Sequence, residues 1–229
     1  MSDDAVATFD LPTVVRFAKV ALDALGEARE EIDALNVYPV PDGDTGTNLF
    51  LTLESARDLM LERVEGDPSC GLRAALAAYA RGALLGARGN SGVIMSQLIG
   101  ALLKRIGEAG PGDRSAVVFA EGLDRATDAS YAAVGEPVEG TILTVARAAS
   151  QAALAAAEVP EHRLGHVIRA AAAAAREALA HTPEQLKTLR DAGVVDAGGR
   201  GLCVVLDAAE TTVTGKRAVA AHPGLGVHA

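Results

Sequence analysis

Two aspartates, Asp42 and Asp44, stand one glycine apart between Pro41 and the run Thr45-Gly46-Thr47-Asn48. Carboxylates that close in a turn repel each other unless a cation lies between them. Oxygen ligands with neither Cys nor His beside them suit Mg²⁺ rather than Zn²⁺. The run after Asp44 opens a helix, and a helix N-terminus can receive an anion. An acidic capping turn is the competing reading of the same residues.

Three further segments concentrate glycine with polar side chains. Ala87-Arg88-Gly89-Asn90-Ser91-Gly92-Val93 also leads into a helix. Its glycines let backbone approach phosphate closely, and Ser91 and the helix amides are donors. The Lys of a Walker A loop is missing, so that nucleotide motif is excluded. Glu136-Pro137-Val138-Glu139-Gly140-Thr141-Ile142-Leu143 and Val194-Val195-Asp196-Ala197-Gly198-Gly199-Arg200-Gly201 complete the set. Each, taken alone, is explained as well by an interhelical turn. The histidines lie outside all four segments. His162 and His166 have helical spacing but lack H-E-x-x-H, and no G-x-S-x-G is present.

The elements that must position these residues are helices. Aromatic residues make up only 3% and Trp is missing, whereas Ala abounds, which disfavours strands. Asp10 is expected to cap a first helix with Val15, Ala18, Leu22 and Leu25 on one face, ending near Asn36 before Pro39 and Pro41. Further helices are predicted over about 47–64, 70–84, from the Gly86–Gly92 loop to about 106, 113–133 capped by Asp113, 140–157 and 161–180. A short one runs to Arg190 with Thr182 as its N-cap, and a last one follows the Gly198–Gly201 loop to about 213. The expectation is one all-α domain over 10–213, with 214–229 a disordered tail.

The formal charge of −9 leaves no basic stripe for phosphate neutralisation, so nucleic acid is not an expected partner. An acidic protein still binds an anionic nucleotide if metal ions supply positive charge. Cys70 and Cys203 form no disulfide framework, no basic-then-apolar leader opens the chain, and no apolar run is long enough to span a membrane. A cytoplasmic protein is expected.

Together the four segments resemble one family. "NVYPVPDGDTGTN" at Asn36–Asn48, "GARGNSGVIMSQ" at Gly86–Gln97, "EPVEGTILTVARAA" at Glu136–Ala149 and "VVDAGGRGL" at Val194–Leu202 follow the order seen in DhaL-type nucleotide-binding domains of the dihydroxyacetone kinases. They are closest in pattern to the branch at the N-terminus of bacterial fatty acid kinase. The resemblance spans about residues 10–213. It implies an antiparallel barrel of about eight amphipathic helices, with ATP (or ADP) and two Mg²⁺ ions at one end.

By residue matching, the resemblance implies Asn36, Asp42 and Asp44 as metal ligands, with Asp42 and Asp44 catalytic. It implies Asn48, Asn90, Ser91 and Gly92 at the phosphates or metal-bound water, Thr45, Thr47 and Gly89 among the nucleotide-binding residues, and Thr141, Ile142, Asp196 and Gly198 near base and sugar. Relatives hold the metals with three aspartates; here the third place falls on Asn36, a neutral oxygen donor, with one extra residue in the turn. Asp33, one helical turn earlier, is left outside the ligand set. Relatives also carry His after the second loop Asp, where this chain has Thr45. The implied reaction transfers the ATP γ-phosphoryl group to a fatty acid carboxylate presented by a separate fatty-acid-binding protein. The alternatives are a dihydroxyacetone kinase nucleotide subunit and a nucleotide-binding module without turnover.

Overall fold

The computed structural model describes residues 8–215. These form ten α-helices and no strand: α1 (Leu11–Leu35), α2 (Thr45–Glu65), α3 (Leu72–Leu85), α4 (Gly89–Gly107), α5 (Ser115–Ala133), α6 (Ile142–Ala157), α7 (Leu164–Ala180), α8 (Thr182–Gln185), α9 (Lys187–Ala192) and α10 (Ala197–Thr214). The all-α expectation holds. Of the tail expected over 214–229, Thr214 is the last residue of α10 and Gly215 its C-cap, and 216–229 lies outside the described residues.

Local chemistry explains the first helix well. Asp10 Oδ1 accepts from the Thr13 amide at 2.8 Å, and Pro12 sits in the opening turn. Val14, Ala18, Ala21, Leu22, Leu25 and Ile32 form its buried stripe, with Val15 at the stripe's edge. The helix stops at Asn36, before the prolines.

The eight long helices close a ring. Each of α1 to α7 packs on its sequence neighbour, α7 packs on α10, and α10 returns to α1. Alternation of direction around the ring brings the N-termini of α2, α4, α6 and α10 to one end. The loops that carry the four glycine-rich segments lie at that same end. Close backbone approach draws this end together: a Cβ on Gly46 would lie 2.3 Å from the Arg29 carbonyl oxygen, and one on Gly201 would lie 2.2 Å from Leu49 Cδ1.

Three sequence expectations are corrected. Arg114, not Asp113, is the N-cap residue of α5; Asp113 instead accepts from the Gly110 amide at 3.1 Å and pairs with Arg105. Thr182 caps no helix: it is buried, donates to the Leu179 carbonyl and accepts from the Asp196 amide, so the predicted short helix becomes α8 and α9. The glycines at 89–92 and 198–201 are not loop residues but the first turns of α4 and α10.

Candidate functional site

One cavity of about 460 Å³ opens at the end where the four N-termini meet. Its walls come from the α1–α2 loop, the first turns of α2 and α4, the α5–α6 loop and the first turns of α6 and α10. Of the residues singled out in the sequence, Asn36, Asp42, Asp44, Thr45, Asn48, Gly89, Asn90, Ser91, Thr141, Ile142, Asp196 and Gly198 all line it.

Thr47 and Gly92 do not. The Thr47 amide and hydroxyl donate to the two Asp33 oxygens at 3.0 and 2.8 Å, so Asp33 reaches from the last turn of α1 to cap the first turn of α2. Gly92 is a packing residue, since a Cβ there would meet Thr52 Oγ1 at 2.5 Å. Thr52 Oγ1 also accepts from the Arg88 amide at 3.2 Å, which seats the start of α4 against α2.

The acidic corner is built by the turn after α1. Buried Asn36 donates through Nδ2 to Asp42 Oδ1 at 2.6 Å. Gly43, with φ of +67°, supplies the left-handed step that turns the chain from Asp42 to Asp44. Burial pushes the Asp44 carboxyl above its ordinary pKa. The Asn48 side chain opposes this by hydrogen bonding, while the charges of Asp42 and Asp33 push it further up.

The opposite wall is braced by a polar network that sequence reading missed. Tyr131 Oη and Thr144 Oγ1 donate to the two Glu139 oxygens at 3.0 and 2.5 Å. The Gly140 amide donates to Thr144 Oγ1 at 2.8 Å, and the Arg147 guanidinium lies 4.1 Å from the Tyr131 ring centroid. The run 134–141 between α5 and α6 is thereby fixed, and Val134, Gly135, Glu136 and Val138 line the cavity from it. Only the third segment's Glu-Pro-Val-Glu-Gly pattern hinted at this wall; Val93, Ile94 and Leu143, also lining it, read as ordinary helix residues.

The four helix N-termini are not equivalent. At α6 the Thr141 hydroxyl accepts from the Leu143 amide at 3.4 Å, and at α10 Asp196 Oδ2 accepts from the Gly199 amide at 2.7 Å. The N-cap residues of α2 and α4, Asp44 and Arg88, provide no side-chain cap. On α4 the first helical bond closes only at Gly92, to the Arg88 carbonyl. The amides of Gly89, Asn90 and Ser91 are thus free of any cap from their own N-cap side chain, and they border the cavity. Unsatisfied amides aligned with a helix dipole favour an anion.

The donor set also bears on metals. Asp42, Asp44, Glu136 and Asp196 line the cavity, and no Lys or Arg does. Among the described residues no three His, Cys, Asp or Glu side chains cluster as a metal site. The pair Asp42 and Asp44, with neutral oxygens of Asn36 and Asn48 at hand, fits instead a hard cation that takes one or two carboxylates and completes its shell with water and phosphate oxygens, as Mg²⁺ does. Arg200, the cation nearest in sequence to the α10 turn, is held by a fork to Glu31 at 2.8 and 3.3 Å.

Comparison with known proteins places these features in a lineage. The DAK2 domain family matches residues 39–211. An uncharacterized protein of Staphylococcus epidermidis is 43% identical over 197 residues, covering 85% of this chain and 34% of the relative. One of Staphylococcus aureus is 43% identical over 176 residues, covering 77% of this chain and 31% of the relative. The chain spans about a third of the length of the curated relatives it matches. Among solved structures, the native form of the dihydroxyacetone kinase of C. freundii superposes with a TM-score of 0.60 at 21% identity, covering 93% of this chain and 37% of that one. That likeness shows a shared fold.

Proposed function

The chain belongs to the DAK2 domain family, and from that premise we propose that it is an ATP- and Mg²⁺-dependent phosphotransferase domain acting on fatty acid carboxylates. The observation that carries the reading is the asymmetry of the cavity: the α4 N-terminus, which has no side-chain cap, borders it with the aspartate pair at the start of α2, whereas the N-termini of α6 and α10 that line it are capped by Thr141 and Asp196. Phosphates belong at the uncapped end. The nucleoside half belongs against Val138, Ile142 and Leu143 at the capped end.

Bound there, magnesium ATP would supply the transferable phosphoryl group and the cationic charge that shields it. Asp42 and Asp44 would hold the metal, with Asn36 both aligning Asp42 and offering a neutral oxygen. The amides of Gly89, Asn90 and Ser91 and the Asn48 side chain would grip phosphate oxygens and hold the terminal group in line with an acceptor. A carboxylate acceptor is ionised at neutral pH and needs no general base. The presence of Thr45 where relatives of the dihydroxyacetone kinase type carry His is consistent with such an acceptor.

The acceptor's route also has a basis. Val40, Leu84, Leu85 and Val93 are exposed by 58, 56, 69 and 44%, and they are four of the five large hydrophobics so exposed among the described residues. They belong to the α1–α2 loop, the last turn of α3 and the first turns of α4, all at the end that carries the cavity. An apolar rim of that kind suits a partner protein that carries an acyl chain. The direct test incubates the protein with Mg²⁺, ATP, a long-chain fatty acid and a fatty-acid-binding protein, and traps acyl phosphate with hydroxylamine. The reading predicts ATP-dependent hydroxamate that vanishes in Asp44→Ala. Transfer to dihydroxyacetone instead, with no hydroxamate, would overturn the acceptor assignment.

A further inference from the structure

The overall charge of −9 hides a local exception. Between Asp67 and Glu108 the chain has no Asp or Glu, yet it carries Arg73, Arg81, Arg88, Lys104 and Arg105. That stretch holds α3, α4 and the turn that joins them. Arg105 is paired with Asp113 and Glu121. The other four cations are exposed, and none makes an ion pair among the described residues.

Packing decides which side of α3 faces out. Ala75, Leu76, Tyr79, Gly82 and Ala83 are buried. Two glycines hold the second half of the helix tightly against α2: a Cβ on Gly82 would lie 2.5 Å from the Ser55 carbonyl oxygen, and one on Gly86 would lie 2.2 Å from Ser55 Cβ. The side left outside carries Arg73, Ala77, Arg81, Leu84 and Leu85, about one helical turn apart. Arg88 follows three residues later, at the N-cap of α4. Leu84 and Leu85 are thus bare between two arginines that have no carboxylate partner. They line no part of the cavity, whereas Val40 and Val93 do and stay with its mouth.

The chemistry of that face selects its partner. Nucleic acid would meet the arginines but bury nothing against the leucines. Protein interfaces are anchored by aromatic side chains, and the one aromatic residue of the stretch, Tyr79, is buried. A lipid headgroup layer offers diffuse negative charge above an apolar phase, and so meets both features: leucines enter the boundary while arginines reach the headgroups on apolar stems.

We propose that the outward face of α3, with Arg88, docks reversibly on an anionic lipid surface. Leu84 and Leu85 enter the headgroup boundary, and Arg81 and Arg88 pair with its anionic groups. So few residues give reversible attachment, not a permanent anchor. The acidic remainder of the protein is repelled over a Debye length of about 8 Å, which turns α3 towards the lipid. Docking brings the cavity mouth, where Gly89, Asn90 and Ser91 follow Arg88, close to the layer in which acyl chains partition. The proposal goes beyond the phosphotransfer reading and does not depend on it.

The test is flotation of the protein with two kinds of vesicle, phosphatidylcholine alone and equal parts phosphatidylcholine and phosphatidylglycerol, at low and at physiological salt. Binding is expected to the anionic vesicles only, and weaker as salt rises. Arg81→Gln combined with Arg88→Gln should weaken it roughly thirtyfold, the effect of two lost charges at a lipid surface. Leu84→Ser combined with Leu85→Ser should weaken it at least as much, and both leucines are exposed, so the fold should hold. Lys19→Gln combined with Arg190→Gln removes the same charge from exposed positions on α1 and α9 and should leave binding unchanged. The comparison of vesicles on the wild type needs no variant. Equal binding to neutral vesicles, leucine variants that bind like wild type, or an equal loss in the Lys19 and Arg190 variant would overturn the proposal. A wild type that stays off anionic vesicles would also overturn it, and would leave the face to an acidic protein.

Discussion

Asp196 and Asp44 show what burial does to a carboxylate in two settings. Asp44 stands among other acids, and their charges add to burial in raising its pKa. Asp196 is raised from 3.8 to about 6 by burial, against the hydrogen bond it accepts from the Gly199 amide. Between about pH 4 and 6 the folded protein thus holds a proton on Asp196 that the unfolded chain has released. Stability from this group falls as pH rises through that window and is level above it, by roughly 3 kcal/mol at most. Urea denaturation across pH 4 to 7.5 should therefore show the stability difference between wild type and Asp196→Asn changing in that direction and then flattening. A difference independent of pH would contradict the assignment. At this scale the sequence was informative about Asp42, Asp44 and the glycine-rich turns, because special backbone and paired carboxylates leave a residue-type trace. It named Asn36 as a ligand and set Asp33 aside without showing the hydrogen bonds that they make, since a cap that reaches across from another helix has no local spacing, and it put Thr47 and Gly92 at the nucleotide, whereas they face the scaffold rather than the cavity.

Among the elements, the order of the long helices was legible because periodicity, Pro and Gly punctuate a helical chain strongly, while the short helix predicted after Thr182 is two, α8 and α9. Two of the misread boundaries, at the starts of α4 and α10, share one cause. Glycines at 89–92 and 198–201 look like loop, yet each sits in a first turn, where the open space beside a missing Cβ is filled by Asn48, Thr52, Ile142 or Val145. The same physics separates glycines by consequence. Gly46→Ala would drive a methyl group into the Arg29 carbonyl and should lower unfolding free energy by about 1–3 kcal/mol. Gly100, inside α4 with nothing within 4 Å of its would-be Cβ, should gain by roughly 0.5–1 kcal/mol on changing to Ala. Thermal or denaturant unfolding of both variants checks the pair, and a stable Gly46→Ala would show that α1 and α2 yield where the close approach says they do not.

For the whole molecule, ring closure is the feature that turns four scattered segments into one site. Nothing in the periodicity of α10 says that it returns to α1; the ion pair between Arg200 and Glu31 and the approach of Gly201 to Leu49 are tertiary facts. The up-and-down order then places four alternate N-termini at one end. At the other end Arg114 donates to the carbonyls of Ala157, Val159, Pro160 and His162, holding the α6–α7 connection away from the cavity. Among the described residues no helix is long and apolar enough to cross a membrane. The fold thus separates a braced end from a binding end, and the central claim concerns the latter.

That claim is tested most directly by calorimetric titration of ATP, with and without Mg²⁺, into wild type and Asp42→Ala. Asp42 is exposed, so its loss should leave the fold intact. The account predicts binding that depends on Mg²⁺ in the wild type and is weakened at least tenfold in the variant. A folded wild type that takes up no ATP in the presence of Mg²⁺, or a variant that binds it equally well, would contradict the account.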